Sequence, residues 1–309
     1  MITPSPIKAG ATIAVISPAS APKPEKLKRG IAYLESKGFK VKEGKHLWGK
    51  HKYLSGHGPE QLEDLHWAFA DDDVDMIICS RGGYGTPRYL DDLDYELIAQ
   101  NPKFFAGYSD ITALQCALAM ETGLVTISGV MAAVEMAAEE GIDPFTEATF
   151  WDLIMQPMAG QILKNPEDMP HAILSPGMGE GPLVGGCLSL FNNLMGTPYF
   201  PDVTGGIMVL EDIGENAQHL DRMLSQFKMA GHFHGDQRIN GLMIGQLIGT
   251  WDAEDEDDFN LEELIQDIIG PVDFPIVTQV AYGHGMRKMS LPLGANVQLD
   301  GNTGSLKIL

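Results

Sequence analysis

Val74-Asp75-Met76-Ile77-Ile78-Cys79 is a nearly continuous apolar run, and Ser80-Arg81-Gly82-Gly83-Tyr84-Gly85 follows it without a gap. A strand with one wet face alternates apolar and polar residues, whereas an unbroken run fits a strand covered on both faces, as in a parallel sheet between helical layers. A helical stretch from Pro59 to Ala70 leads into the run. Upstream lie the strand-like Thr12-Ile13-Ala14-Val15-Ile16, a helical stretch from Lys26 to Lys37 that stops at Gly38, and a weaker strand at Phe39-Lys40-Val41. Downstream, Lys103 to Gly107 and Leu124 to Ile127 repeat the strand pattern around a helix from Ile111 to Glu121. Alternating β and α units predict a parallel sheet with helices on both faces and ligands at the carboxyl ends of its strands.

From Phe145 to Met178 the periodicity weakens and Pro, Gly and Met become frequent, which predicts a connection. A second block begins near Gly181. It holds strand candidates at Gly206 to Leu210, Gly241 to Gly245 and Pro275 to Val280, and helices around Gln218 to Met229 and Leu261 to Ile269. A hairpin of Asn296 to Leu299 and Ser305 to Leu309, turned by Asp300-Gly301-Asn302, closes the chain. The expected organisation is an α/β domain over 1–145, a linker over 146–178 and a mixed, β-rich domain over 179–309. A length of 309 residues suits two cores of about 150 residues each.

The chain carries 21 basic and 42 acidic residues, a formal charge of -21. Such a surface repels phosphate backbones and anionic membranes, so neither a nucleic-acid nor a membrane partner is expected. Cys79, Cys116 and Cys187 are scattered through apolar stretches and read as small core residues of a reducing compartment. The apolar run Ile13 to Ile16 is too short for a signal peptide, and no segment approaches the roughly 20 apolar residues of a membrane span. A cytoplasmic location is expected.

Three short segments each place a reactive group after an apolar run: Gly107-Tyr108-Ser109-Asp110, Leu210-Glu211-Asp212 and Tyr282-Gly283-His284-Gly285. A serine hydroxyl becomes a useful nucleophile when an imidazole takes its proton and an acid fixes the imidazole tautomer. Each group also has a plainer reading. Ser109 opens the helix at Ile111, where a cap serine is common and locally favoured. Glu211 and Asp212 stand side by side, and spacing does not choose between them. Ile111 occupies the second glycine position of the Gly-x-Ser-x-Gly elbow, so the α/β-hydrolase pattern does not fit.

The glycine loop after Cys79 can offer backbone amides to an anion, yet it lacks the Gly-Lys-Ser/Thr of a nucleotide loop and the spacing of the dinucleotide fingerprint. His232-x-His234 has no cysteine or acid at a matching interval, so no metal is expected. The acidic stretch Trp251 to Asp258 lacks the turn glycine of a calcium loop and reads as solvated.

Taken together, Arg81-Gly82-Gly83-Tyr84-Gly85, Gly107-Tyr108-Ser109-Asp110-Ile111-Thr112-Ala113-Leu114, Gly185-Gly186, Leu194-Met195-Gly196-Thr197-Pro198-Tyr199, Leu210-Glu211-Asp212-Ile213-Gly214-Glu215, Asp221-Arg222-Met223-Leu224 and Gly283-His284-Gly285 resemble the LD-carboxypeptidase family of serine peptidases. The blocks span nearly the whole chain. The resemblance implies a Ser109, Glu211 and His284 triad at a domain interface. It also implies a flavodoxin-like or glutamine-amidotransferase-like N-terminal parallel-sheet domain, a mixed, β-rich swivelling C-terminal domain, and a homodimer.

The implied activity is release of the terminal D-alanine from the L-Ala-D-Glu-meso-diaminopimelate-D-Ala tetrapeptide in murein recycling. On that reading Gly83 and Asp110 supply oxyanion amides, and Arg81, Tyr84 and Arg222 are candidates for substrate contact. No cofactor is needed. Cys187 departs from the asparagine that the family commonly carries after its glycine pair. Two rival functions remain: hydrolysis of microcin-type peptidyl nucleotides, for which Trp48, Trp67, Trp151 and Trp251 are the available stacking indoles, and non-catalytic binding of murein peptides.

Overall fold

The structure is a computed structural model that describes residues 1–250 and 260–309. The acidic stretch from Trp251 to Asp258, with its indole, lies outside the described residues. In chain order the strands are β1 (Thr12–Ile16), β2 (Lys40–Glu43), β3 (Met76–Cys79), β4 (Phe104–Ala106), β5 (Thr126–Ser128), β6 (Ile162–Leu163), β7 (Ala172–Ser175), β8 (Met178–Cys187), β9 (Ile207–Ile213), β10 (Gly241–Ile248), β11 (Ile276–Thr278), β12 (Leu291–Leu293), β13 (Asn296–Asp300) and β14 (Ser305–Ile308). The α-helices are α1 (Pro24–Ser36), α2 (Gly58–Ala70), α3 (Tyr95–Gln100), α4 (Thr112–Thr122), α5 (Pro144–Met155), α6 (Leu188–Asn193), α7 (Ala217–Met229) and α8 (Leu261–Ile268).

The chain divides into two compact units, one of Met1–Met158 with Ser290–Gly294, the other of Ala159–Met289 with Ala295–Leu309. The first unit is built on a sheet of order β12-β5-β4-β3-β1-β2. Strands β1 to β5 run parallel in the flavodoxin-like order, with β12 antiparallel on the β5 edge. Ile13, Val15, Ile77, Ile78, Phe105 and Ala106 are fully buried, as continuous apolar strands require. The order reverses between β1 and β3. There the carboxyl ends of adjacent strands leave a crevice, and the loop Ser80 to Gly85 starts from it.

The second unit has one mixed sheet of order β6-β14-β13-β8-β9-β10-β11-β7. Strands β8, β9, β10 and β11 are parallel, and the remaining pairings are antiparallel. The C-terminal hairpin forms as its turn chemistry predicts.

Two features differ from the sequence expectation. Residues 146–178, read as a linker, contain most of α5 within the first unit and β6 and β7 within the second. The start of α5 has a local cause: the Asp143 carboxylate accepts from the N–H groups of Phe145 and Thr146, and Pro144 occupies the first turn. The other is β12, which returns the chain to the first unit after β11. Its Leu291-Pro292-Leu293 is too short to show a period.

Candidate active site

Ser109 lies three residues past the end of β4, at the turn into α4, and its backbone is in the left-handed region at φ 65°. A β-carbon is disfavoured there, so the turn must be held by its surroundings. Two glycines make the room. A Cβ on Gly82 would stand 2.8 Å from the Ser109 Cβ, and one on Gly107 would stand 2.9 Å from the Ile111 Cγ2. Gly82 and Gly107 therefore open space for the elbow despite Ile111 at the second-glycine position. The cap positions are held by Tyr108 before the short turn and by Ile111 before α4, and the Ser109 Oγ has no hydrogen-bond partner within its own unit. The helix-cap reading does not hold.

The next residue locks the neighbouring loop. The buried Asp110 carboxylate accepts from the Thr86 N–H at 2.9 Å, and the Thr86 hydroxyl donates to the Asp110 carbonyl at 2.6 Å. Burial raises the Asp110 carboxyl above its usual value, with the hydrogen bonds from Thr86 and Gly85 opposing. On the far side, the Ser20 N–H donates to the Gly82 carbonyl and the Tyr84 N–H donates to the Ser20 Oγ. The loop is thus tied to the ends of β1 and β4. Among the described residues the backbone N–H groups of Gly83 and Asp110 donate to nothing. Ser109 is half-buried, and unpaired backbone amides are the kind of group that can hold a developing oxyanion.

In the second unit, Glu211 sits on β9 and is completely buried. Its Oε2 lies 2.7 Å from His284 Nδ1. Gly283 makes the approach possible, since a Cβ there would come within 2.6 Å of that same oxygen. Gln246 on β10 braces the loop, its Oε1 accepting from the Gly285 N–H and its Nε2 donating to the Arg287 carbonyl. Burial lifts the Glu211 carboxyl above its ordinary value, while the hydrogen bond and charge of His284 pull it back. Its other oxygen, Oε1, is buried without a partner. An acid with one oxygen committed to Nδ1–H fixes the tautomer in which Nε2 accepts a proton.

The ambiguity between the two acids is decided by the strand. Successive residues of β9 point to opposite faces. Asp212 accepts from the N–H groups of Ser189 and Ile213 and from the Cys187 thiol, away from His284.

The remaining expected residues fall as follows. Arg81 Nε donates to the Gly82 carbonyl at 3.1 Å and braces the loop. Tyr84 is 70% exposed beside it. Arg222 is exposed on α7 with no ion pair among the described residues, so the acids considered for it, Asp212 and Asp221, do not hold it. His232 lies 3.4 Å from the Gln237 carbonyl and His234 lies 2.7 Å from that of Ile269. No group of three potential metal ligands occurs among the described residues. Trp151 stacks on Phe39 at 4.8 Å and donates to the Tyr33 hydroxyl, and Trp48 donates to Glu43. The three cysteines are buried, and burial pushes the Cys116 thiol up to about 12. Sequence reading missed Gln246 and Thr86, whose hydrogen bonds join segments distant in the chain. No helix among the described residues is long and apolar enough to cross a membrane.

A flavodoxin-like sheet bearing a serine in the left-handed region, and a mixed sheet bearing a carboxylate–imidazole pair, define a two-unit α/β protein. Family models describe the particular kind: the LD-carboxypeptidase N-terminal domain matches residues 13–129 and the LD-carboxypeptidase C-terminal domain matches residues 180–299. The chain belongs to the LD-carboxypeptidase family.

It is 36% identical over 297 residues to the "Probable murein peptide carboxypeptidase" of Bacillus subtilis, covering 96% of this chain and 91% of that protein. The crystal structure of muramoyltetrapeptide carboxypeptidase from Oxalobacter formigenes superposes with a TM-score of 0.84 at 28% identity, covering 96% of this chain and 98% of that one. The microcin C7 self immunity protein MccF, solved in complex with aspartyl sulfamoyl adenosine, shares the fold with a TM-score of 0.92 at 24% identity, covering 100% and 98%.

Proposed function

We propose that this carboxypeptidase-family chain is a serine peptidase that releases C-terminal D-alanine from murein tetrapeptide. The observation that carries the reading is the buried Glu211 held 2.7 Å from His284 Nδ1, an arrangement that commits a carboxylate to orienting an imidazole. The unpartnered Ser109 hydroxyl and the murein peptide carboxypeptidase among the relatives support it.

In this reading His284 takes the Ser109 proton at Nε2 as the oxygen attacks the carbonyl of the L,D bond. Glu211 holds the imidazole and stabilises its cation. The N–H groups of Gly83 and Asp110 receive the oxyanion, a role in which loss of one donor typically costs about 10²–10³ in rate. His284 then gives the proton to the departing D-alanine amine, and water repeats the attack on the acyl-enzyme. Such recycling places the protein in the cytoplasm, and a homodimer is the assembly implied by family resemblance.

Mass spectrometry of products from murein tri-, tetra- and pentapeptides tests the assignment. The tetrapeptide should lose one D-alanine with the native chain and none with Ser109→Ala. Undiminished turnover by that variant overturns the nucleophile. Binding without turnover by the native chain overturns the enzyme.

A further inference from the structure

An exposed cationic and aromatic patch adjoins the candidate nucleophile in the first unit, on a chain whose net charge is -21. Between residues 44 and 59 and between 76 and 90 the sequence has no acidic residue, while it has Lys50, Lys52, Arg81 and Arg88, and Lys45, which pairs with Glu63. The fold brings these two segments together. Leu54 packs where a Cβ of Gly85 would lie, 2.7 Å from its Cδ2, and the Ser55 N–H donates to the Ala19 carbonyl. The tight turn His51 to Leu54, closed by reciprocal backbone hydrogen bonds, therefore stands against the glycine loop.

Tyr53 and Tyr84 are 53% and 70% exposed, and their rings meet edge to face at 6.1 Å. The Arg88 guanidinium lies 5.6 Å from the Tyr53 ring centre and donates to its hydroxyl at 2.6 Å. Arg88 has no ion pair among the described residues, so most of the five guanidinium donors are uncommitted. The two exposed rings and the guanidinium, which has no counter-ion among the described residues, together offer a planar, forked donor beside two aromatic faces, a combination suited to a carboxylate on an extended ligand.

Position relates the patch to the chemistry. Gly82 abuts Ser109, and Tyr84 is two residues further, at most about 7 Å along the chain. Burial raises the Asp110 carboxyl, and the charge of Arg88 is the smallest of the influences that oppose that rise, so Arg88 still acts on the residue after Ser109. A peptide whose scissile carbonyl sits at Ser109 has its second acyl-side residue within roughly 10 Å of that carbonyl.

We propose that Tyr84, Tyr53 and Arg88 form a subsite for the acyl side of an acidic peptide, with the Arg88 guanidinium pairing to a side carboxylate of the substrate and the two rings flanking its backbone. The inference rests on the reading of Ser109 as nucleophile and adds to it the residues that recognise a side carboxylate on the acyl side. The Tyr53 hydroxyl fixes the guanidinium before substrate arrives, which lowers the ordering cost of a forked contact. Murein peptide has such groups: its D-glutamyl and diaminopimelyl residues each keep a free carboxylate.

The test measures kcat/KM for D-alanine release from the tetrapeptide with both acyl-side carboxylates free and from peptides amidated at one or the other. Arg88→Gln should lose about tenfold on the free diacid, and that loss should vanish on one amidated peptide, as expected for a charged hydrogen bond in a half-wet site. Tyr53→Phe keeps the ring, frees the guanidinium, and should lose a smaller factor on the same substrate. An equal loss on all three peptides, or none on the diacid, overturns the subsite while leaving the peptidase reading intact. Failure of the native chain to release D-alanine from any of them overturns both.

Discussion

Ser109→Gly and Ser109→Ala both delete the hydroxyl, yet the structure predicts that they differ in stability. At φ 65° the residue pays for a β-carbon in the left-handed region, a strain of roughly 1–2 kcal/mol that alanine keeps and glycine removes. Glycine gives back about 0.5–1 kcal/mol through the greater freedom of its unfolded chain. The balance favours Ser109→Gly over Ser109→Ala by about 0.5–1 kcal/mol, or roughly 2 °C in Tm. Neither change orphans a buried partner, because the Ser109 hydroxyl bonds to nothing within its own unit. Differential scanning calorimetry of the two variants beside the native chain reads the difference, and D-alanine release reads the function. Both variants should be inactive, with the glycine variant the more stable. If Ser109→Gly melts at or below Ser109→Ala, the left-handed turn is not strained and the argument for a functional elbow fails.

Glu211→Gln should lower kcat by roughly 10⁴, as expected when the orienting acid is neutralised. The stability of the native chain relative to this variant should depend on pH. The folded-state pKa of Glu211 is raised, so the native chain binds more protons than the unfolded chain and loses stability as pH rises from the ordinary carboxylate value through the raised one. Urea unfolding across that window should show native stability falling relative to the glutamine variant, and a difference that rises with pH would refute it. Gly82→Ala puts a carbon 2.8 Å from the Ser109 Cβ and should cost about 10² in kcat through misplacement of the hydroxyl, with KM little changed. Asp110→Ala leaves the buried Thr86 N–H unpaired, so denaturant melts should show a loss of about 1–3 kcal/mol, accompanied by reduced turnover as the loop loosens.

Much of the fold is legible in local chemistry. The run Met76 to Cys79 can be satisfied only between two layers, and the βα alternation around it leads to the flavodoxin-like order of the first sheet. Helix α5 was also legible in principle, since Asp143-Pro144 is a cap and a first-turn proline, but the Met and Pro content around it suggested a connection. Strand β12 has no such sign. Three residues ending a long excursion through another unit reveal their partner only when Ser128, Ile127 and Thr126 pair with them.

The candidate site divides in the same way. Sequence by itself determined which residue types are available, because a serine after a strand, an acid at the end of an apolar run and a histidine between glycines are local facts. Tertiary structure decided which acid meets the histidine, since the two faces of β9 separate Glu211 from Asp212, a choice that adjacent positions cannot express. It also decided that Ser109 is a strained, uncapped residue rather than a helix cap. That backbone angle has room only because Gly82, which lies 27 positions away in the chain and in contact in space, has no side chain.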